Sequence, residues 1–168
     1  MLLLCQRLSQ LRFGELMAVY AQSVRENGEE FYPALSPSEQ ILRAEQDFYA
    51  YLQTGFFTQP GDLYCIWEEK GRYVSALRLQ SFRDGLLLEA LETCPDDRRH
   101  GYAAQLIRQV LDELHPEKVY SHISHRNAAS RAVHEICGFR KISDNARYAD
   151  GSVNSHCGTY LYESKNAG

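Results

Sequence analysis

The sequence has no long hydrophobic run and no excess of positive charge. Its apolar start, MLLLCQRLSQ, is interrupted at once by Gln6 and Arg7, so it is too short for a signal-peptide core or a membrane span. The formal net charge is −4, with both signs mixed along the chain, so a basic face for nucleic acid is not expected. We therefore expect a cytoplasmic protein with no membrane or nucleic-acid partner.

Paired cysteines and linker-like segments are also missing. The five cysteines are scattered and form no C-x-x-C pair, which favours reduced thiols. No segment is rich in proline, glycine or serine, and nothing repeats. The 168 residues are therefore predicted to form a single domain, residues 1–168.

The N-terminal third contains the patterns of one strand and two helices. LLLCQ is typical of a short strand, and Ser9 is a candidate N-cap for a helix that ends near residue 28. GEEFYPAL is predicted to be a loop. SPSE, residues 36–39, combines an N-cap, a proline at the first helical position and a glutamate three residues after the cap, so a second helix should begin there. Its predicted apolar face consists of Ile41, Ala44, Phe48, Tyr51 and Leu52.

From residue 62 onward strand patterns dominate. LYCIWEE, YVSALRLQSF and LLLEALET are joined by Lys70-Gly71 and Asp84-Gly85, which predicts three strands with two tight hairpins, glycine supplying the positive φ. A helix over residues 103–114 and a strand over 118–124 complete a right-handed parallel crossover. A helix capped by Asn127 and two final strands follow. The fold class is thus α+β, a mixed, mostly antiparallel sheet of about seven strands with helices on both faces.

The stretch RRHGYA, residues 98–103, stands at the junction of a predicted strand and a predicted helix. The first N–H groups of a helix have no intrahelical partner, and the helix dipole adds positive partial charge. Gly101 and the small Ala103 allow an anion to approach the backbone closely, while Arg98 and Arg99 add charge. The junction is a candidate phosphate site, although a solvated basic turn has the same pattern.

Two longer stretches resemble a known family. LETCPDDRRHGYAAQLIRQVL is similar to the acetyl-CoA-binding motif of the GNAT superfamily of acyl-CoA-dependent N-acetyltransferases, [Arg/Gln]-x-x-Gly-x-[Gly/Ala] after a strand and a proline. Arg98, Gly101 and Ala103 match this pattern, and Pro95 stands where the family often has proline. NAASRAVHEICGF resembles the family's later motif of an asparagine, a helix and a Gly-Phe pair. The element order agrees across nearly the whole chain, apart from residues 25–51.

The resemblance implies a GNAT-like fold and an N-acetyltransferase that moves an acetyl group from acetyl-CoA directly to a primary amine of a small molecule or peptide, without a metal. The backbone of residues 91–93 would pair with the pantetheine arm, residues 99–104 would hold the pyrophosphate, and Asn127 would lie near the thioester. The implied cofactor-binding residues are Leu91, Glu92, Thr93, Arg98, Arg99, His100, Gly101, Tyr102, Ala103, Ala104 and Asn127.

Such a transfer needs an acid for the leaving thiolate and a base for the ammonium proton. Where the family usually carries tyrosine, four residues before Gly138, this chain has His134. His134 is a candidate acid, acting from its charged form, while water or another tyrosine would be alternatives.

Three residues are candidate bases, with water-mediated proton removal as the alternative. Glu89, where many family members have a carboxylate, comes first, His122 on the next strand comes second, and Glu92 comes third. Strict strand alternation predicts that Glu92 faces the opposite way from Glu89.

Other functions remain as alternatives at this point. His122-x-x-His125 and His134-x-x-Cys137 have ligand-like spacing, but two histidines three apart on a strand face opposite sides, which disfavours a metal site. A non-catalytic acyl-CoA-binding or regulatory module is the alternative to an enzyme. A homodimer is left open, and Glu29 and Glu30 are candidates to attract a cationic acceptor.

Overall fold

The structure is a computed structural model that describes residues 1–166. In chain order its elements are β1 (Leu2–Cys5), α1 (Phe13–Val19), α2 (Ala21–Phe31), α3 (Pro37–Thr54), β2 (Leu63–Glu69), β3 (Arg72–Phe82), β4 (Gly85–Thr93), α4 (Tyr102–Leu114), β5 (Lys118–Ser124), α5 (Ala128–Ile136), β6 (Arg140–Ser143), β7 (Ala146–Arg147), β8 (Val153–Asn154) and β9 (Cys157–Glu163). Short 3-10 turns lie at Leu8–Gln10 and Pro95–Asp97.

Seven strands form one mixed sheet in the spatial order β1-β2-β3-β4-β5-β9-β6, and β7 pairs with β8 in a separate hairpin. All neighbours in the large sheet run antiparallel except β4 and β5, which are parallel. The predicted α+β class and the mostly antiparallel sheet of seven strands are confirmed. The parallel step through α4 is the predicted crossover.

Helices cover both faces of the sheet. On one face, the buried side chains of α4, among them Leu106, Ile107 and Val110, pack on Leu77 and Val119 of the sheet. On the other face, α1, α2 and α3 cover a second cluster that includes Leu16, Val24, Leu52, Tyr64 and Ile66. The sheet is thus the middle layer between two hydrophobic cores.

The N-terminal helical region differs from the prediction. Ser9 belongs to the 3-10 turn instead of capping a helix, and α1 begins only at Phe13. The predicted single helix is broken at Tyr20 into α1 and α2, and α2 continues to Phe31 through part of the predicted loop. Tyr20 is buried and its hydroxyl donates to the Ala90 carbonyl across 2.6 Å. The break therefore coincides with a tertiary contact that sequence periodicity does not report.

The start of α3 follows the prediction. Ser36 accepts a hydrogen bond from the Glu39 N–H, and the Glu39 side chain accepts from the Ser36 N–H, which completes the capping box. The apolar face is only partly as predicted: Ala44 and Leu52 are buried, but Ile41 and Tyr51 are exposed.

Both predicted hairpins are present, but the second uses its glycine differently. In the β3–β4 turn the positive φ falls on Arg83, at 49°, and not on Gly85. Gly85 instead lies where a Cβ would be 2.4 Å from the Lys118 carbonyl oxygen. Gly85 thus permits β4 and β5 to approach each other at the start of their parallel pairing.

The remaining elements agree with their sequence signals. Asn127 caps α5 by accepting from the Ser130 N–H, and Gly138 follows α5 with a φ of 95°. Within the described part of the chain all five cysteines are free thiols. None of the helices in residues 1–166 combines the length and the apolar character needed to cross a membrane.

Two helical glycines give a matched test of the packing between α2 and α3. A Cβ on Gly28 would lie 2.6 Å from the Gln40 carbonyl oxygen, whereas a Cβ on Gly14 would meet no atom within 4 Å. We expect Gly28→Ala to lower the free energy of unfolding by about 1–3 kcal/mol, because α2 and α3 must separate. Gly14→Ala should be neutral or stabilising by up to about 1 kcal/mol. Urea unfolding measures both, and an equally stable Gly28→Ala protein would contradict the close packing.

Candidate active site

The sheet opens between its two parallel strands. β4 and β5 pair only from Leu86–Val119 to Leu88–Ser121. Beyond Leu88, β4 keeps its partner β3 on one side, while no strand in residues 1–166 pairs with its other side. The backbone edge of residues 89–93 is therefore available to hydrogen-bond an extended ligand.

A bulge in β4 alters which side chains face the opening. Ala90 has a left-handed φ of 52°, and the register shifts so that Arg78 pairs with Glu89 but Ala76 pairs with Glu92. Directly paired residues share a face, and Ala76 and Arg78, two apart, share a face as well. Glu89 and Glu92 therefore lie on the same face, and the prediction from strict alternation was wrong because of the bulge.

A cavity of about 370 Å³ occupies the opening. It brings together all three candidate bases, Glu89, His122 and Glu92, and the candidate acid His134. Its lining residues are Tyr20, Ser23, Asn27, Phe48, Arg78, Leu88, Glu89, Ala90, Leu91, Glu92, Ser121, His122, Ile123, Ser124, Asn127, Ser130 and His134. From residues 25–51, the part of the chain outside the family resemblance, Asn27 on α2 and Phe48 on α3 line the cavity. Glu29 and Glu30, the candidates to attract a cationic acceptor, do not line it.

The two carboxylates differ in their surroundings. Glu89 lies 3.9 Å from the Arg78 guanidinium, which also stacks over the Tyr51 ring. Glu92 accepts a short hydrogen bond from the Ser23 hydroxyl, and its Oε2 atom is buried without a partner in the described residues. Burial raises the pKa of Glu92, and the Ser23 hydrogen bond opposes this. Glu92 therefore retains its proton more readily than an ordinary glutamate does.

His122 lies on β5 between aromatic rings. Its ring centre is 5.5 Å from that of Phe82 and 5.0 Å from that of Tyr148. Burial, and secondarily the charge of Arg83, lower its pKa. Its Nε2 atom is buried with no hydrogen-bond partner among residues 1–166. A neutral imidazole with a free nitrogen has the protonation state that a base requires.

His134 on α5 is fixed through both ring nitrogens. Nδ1 lies 2.7 Å from the Ser130 carbonyl oxygen and must donate to it, because a carbonyl only accepts. Nε2 lies 3.1 Å from the Ser121 hydroxyl, which is also 3.2 Å from the Leu88 carbonyl oxygen. Burial lowers the pKa of His134, so its resting form is the neutral imidazole, not the charged form assumed from sequence.

The RRHGYA junction forms an open turn at the start of α4. Gly101 is the N-cap, with a left-handed φ of 78°, and no side chain in residues 1–166 caps the helix. A Cβ at Gly101 would meet no atom within 4 Å. The preceding turn is fastened by two hydrogen bonds from Arg72 to the Asp97 carboxylate, at 2.6 and 2.9 Å, and by the His100 ring nitrogen, 3.0 Å from the Asp97 carbonyl. Free N–H groups and space for a ligand therefore coincide here.

The sequence reasoning missed several residues of the cavity. Tyr20 lies between α1 and α2, and Ser23 lies in α2. Their position beside β4 is set by tertiary packing, which the sequence pattern does not show. Ser121 had a readable signal, because it stands on β5 between Val119 and Ile123, both buried apolar residues. A polar residue on an apolar strand face is the unusual observation in such a pattern.

Comparison with protein families identifies a family that has these features. The model of the acetyltransferase (GNAT) family matches residues 24–139, which include the bulged strand, the open turn and α5. The chain belongs to the GNAT acetyltransferase family. It is accordingly an acyltransferase, and the resemblance seen in the two motifs is confirmed. The chain matches no curated protein in sequence.

Solved structures, two of them of N-acetyltransferases, share the fold. PaiA N-acetyltransferase from Thermoplasma acidophilum, in complex with coenzyme A, has a TM-score of 0.63 and 10% identity, over 98% of this chain and 99% of that chain. The ribosomal-protein-S18-alanine N-acetyltransferase from Escherichia coli has a TM-score of 0.58 and 18% identity, over 99% and 98%. PH1933 from Pyrococcus horikoshii has a TM-score of 0.65 and 13% identity, over 98% and 99%. At these identities the likeness concerns the fold.

The histidine pairs with ligand-like spacing are not assembled into a cluster. His125 lies beyond the end of β5, with its Nε2 atom 2.9 Å from the Asp144 carbonyl oxygen. Within residues 1–166, no group of three or more histidine, cysteine or carboxylate side chains is placed to hold a metal ion.

The neutral state of His134 has a measurable effect on stability. Its pKa is below the ordinary value of 6.5, so at intermediate pH the unfolded chain binds a proton that the folded protein does not. The stabilisation that comes from the neutral His134 ring is fully present above pH 6.5, and it is lost as the pH falls through the lowered pKa of His134. We expect the free energy of unfolding to fall more steeply from about pH 7 to 5 in the wild type than in His134→Gln. Urea unfolding at several pH values tests this, with the exposed His156→Gln as control, and parallel curves for wild type and His134→Gln would contradict it.

Proposed function

We propose that the protein transfers an acetyl group from acetyl-CoA directly to a primary amine of a small molecule or peptide. The main observation is that the unpaired edge of β4 and the candidate proton-transfer groups border one opening in the sheet. The open turn at the start of α4 follows the end of this β4 edge in the chain. Membership of the GNAT family supplies the acyl transfer, and the arrangement of this chain's own residues supports the choice of acetyl-CoA and an amine.

The donor would lie along β4 and α4. Leu91, Glu92 and Thr93 offer backbone groups to the pantetheine amides, as an added strand would use them. The backbone from Arg99 to Ala104 offers N–H groups to the pyrophosphate, with the side chains of Arg98 and Arg99 as secondary contributors. The similar PaiA N-acetyltransferase structure, which is in complex with coenzyme A, supports this choice of donor.

The acceptor would enter from the side of α2 and α3. Asn27 and Phe48 border the cavity on that side, which leaves room for a small amine or the end of a peptide. Glu89 is proposed as the base, acting directly or through water, and His122 is the alternative because its Nε2 atom is unpartnered. Asn127 lies at the opposite wall, at the start of α5, near the expected thioester.

Replacement of Gly101 tests the phosphate site. Gly101 and Gly71 both have positive φ, 78° and 76°, and both have open space where a Cβ would stand. Valine therefore strains the backbone alike at both positions. Only Gly101→Val would fill space beside the α4 N-terminus, and we expect it to raise the Kd for CoA at least about 30-fold, about 2 kcal/mol.

Gly71→Val, in the β2–β3 hairpin, is the matched control and should bind CoA within about twofold of the wild type. Isothermal titration calorimetry gives both values. Unchanged CoA affinity in Gly101→Val would rule out the proposed phosphate site.

Replacement of Glu89 tests the base. Glu89→Gln should lower kcat/KM for an amine acceptor about 10²–10⁴-fold while leaving the Kd for CoA unchanged, because only proton removal is affected. Glu113→Gln, an exposed carboxylate on α4, controls for the loss of one charge. If His122→Gln shows the large loss and Glu89→Gln does not, the base is His122.

A further inference from the structure

Ser121 and His134 form a hydrogen-bonded pair, and direct transfer to an amine gives a role only to His134, as the candidate acid. Ser121 stands at the last paired position of β5, where β4 and β5 part, and its hydroxyl is 3.1 Å from His134 Nε2. His134 Nδ1 in turn donates to the Ser130 carbonyl oxygen across 2.7 Å. This is the order of a nucleophile, a base and a group that orients the base.

The tautomer of His134 is the one that such a base needs. Because Nδ1 carries the proton that the Ser130 carbonyl accepts, Nε2 of the neutral ring is an acceptor 3.1 Å from Ser121 Oγ. The Ser121 hydroxyl donates to the Leu88 carbonyl oxygen at 3.2 Å, so its single proton must rotate toward Nε2 before the ring can take it. The burial of His134 also keeps the ring neutral at rest.

The pair is shielded but borders the reaction cavity. Ser121 is 3% exposed and His134 is 1% exposed, yet both line the opening between β4 and β5. The unpaired backbone of β4 beyond Leu88 borders the same space and offers N–H groups for an oxyanion. A serine hydroxyl, a base and a candidate oxyanion site thus meet at one place.

We propose that Ser121, activated by His134, accepts the acetyl group in the absence of an amine, which makes the protein a slow acetyl-CoA hydrolase. This inference rests on the proposed function, since it requires acetyl-CoA in the same cavity. It adds a covalent route through the enzyme beside the direct transfer.

The atoms of this route balance without an additional reactant other than water. Ser121 Oγ bonds to the thioester carbonyl carbon, its proton passes to His134 Nε2, and the carbon–sulfur bond breaks. The thiolate takes the proton from Nε2 and leaves as CoA thiol. Water then attacks the serine ester and gives one proton to Nε2, and that proton returns to Ser121 Oγ. The product leaves as acetic acid, which loses its remaining proton to solvent. In this route His134 is both the base and the acid for the thiolate.

The Ser130 carbonyl, which orients His134, determines how fast we expect the hydrolysis to be. A backbone carbonyl orients the ring but carries no full negative charge to stabilise the imidazolium. Replacing the triad aspartate of a serine protease by its amide lowers kcat about 10⁴-fold. The hydrolysis should therefore be slow, and it is best followed over hours.

The test measures thiol release and the acylated residue without any amine. Wild-type protein should release CoA from acetyl-CoA, and after an acid quench a peptide containing Ser121 should carry the mass of one acetyl group. Ser121→Ala and His134→Gln should each lower the release at least about tenfold, whereas Ser81→Ala, an exposed serine on β3, should not. No release, release that survives Ser121→Ala, or no acetyl group on Ser121 would overturn the proposal.

A fluorophosphonate reagent separates this proposal from the proposed function. It labels activated serines and needs no CoA, so labelling of Ser121 that disappears in His134→Gln supports the pair even if acetyl-CoA does not bind. Conversely, tight CoA binding with no labelling and no serine ester would overturn the pair and leave the direct transfer intact.

Discussion

The architecture of the candidate active site depends on the short length over which β4 and β5 pair with each other. Three residue pairs hold the two parallel strands together, and beyond Leu88 they separate. Parallel strands need a crossover connection, and here that crossover is α4, whose N-terminus therefore lies beside the point of separation. The unpaired β4 edge, the open turn at Gly101 and the cavity all arise from this one parting of the sheet.

Burial explains the state of the ionisable groups around the cavity. Burial lowers the pKa of both His122 and His134 and raises that of Glu92. In each case the charged form is disfavoured, because burial removes its hydration and the neighbouring groups do not fully replace it. Neutral histidines can accept protons, whereas a protonated Glu92 cannot. Arg78 borders the same cavity, with Glu89 3.9 Å from its guanidinium and the Tyr51 ring beneath it.

Features set by neighbouring residues were predictable from sequence, and features set by distant contacts were not. The capping box at Ser36, the Asn127 cap and the glycine turn at Gly101 follow local rules, and all three are present. The motifs around Gly101 and Asn127 also identified the family. The bulge at Ala90 has no such local signal, and it reversed the expected side of Glu92.

Distant contacts also explain the other differences between the predicted and the observed structure. The division of α1 from α2 at Tyr20 depends on a partner in β4, seventy residues away in the chain. The protonation of His134 depends on burial that a sequence does not show. The roles given to Glu89, His122 and His134 remain proposals, although the structure brings all three to one cavity.

The position of the last strand affects how the protein is made. β9 lies between β5 and β6, and β6 has no other partner in the sheet among residues 1–166. During synthesis the ribosome produces β5, α5 and β6 before β9 exists, so two strand edges stay open until the chain has grown past residue 163. The nascent protein therefore cannot complete its sheet until this strand emerges, and in that interval the open edges are available to pair with other chains.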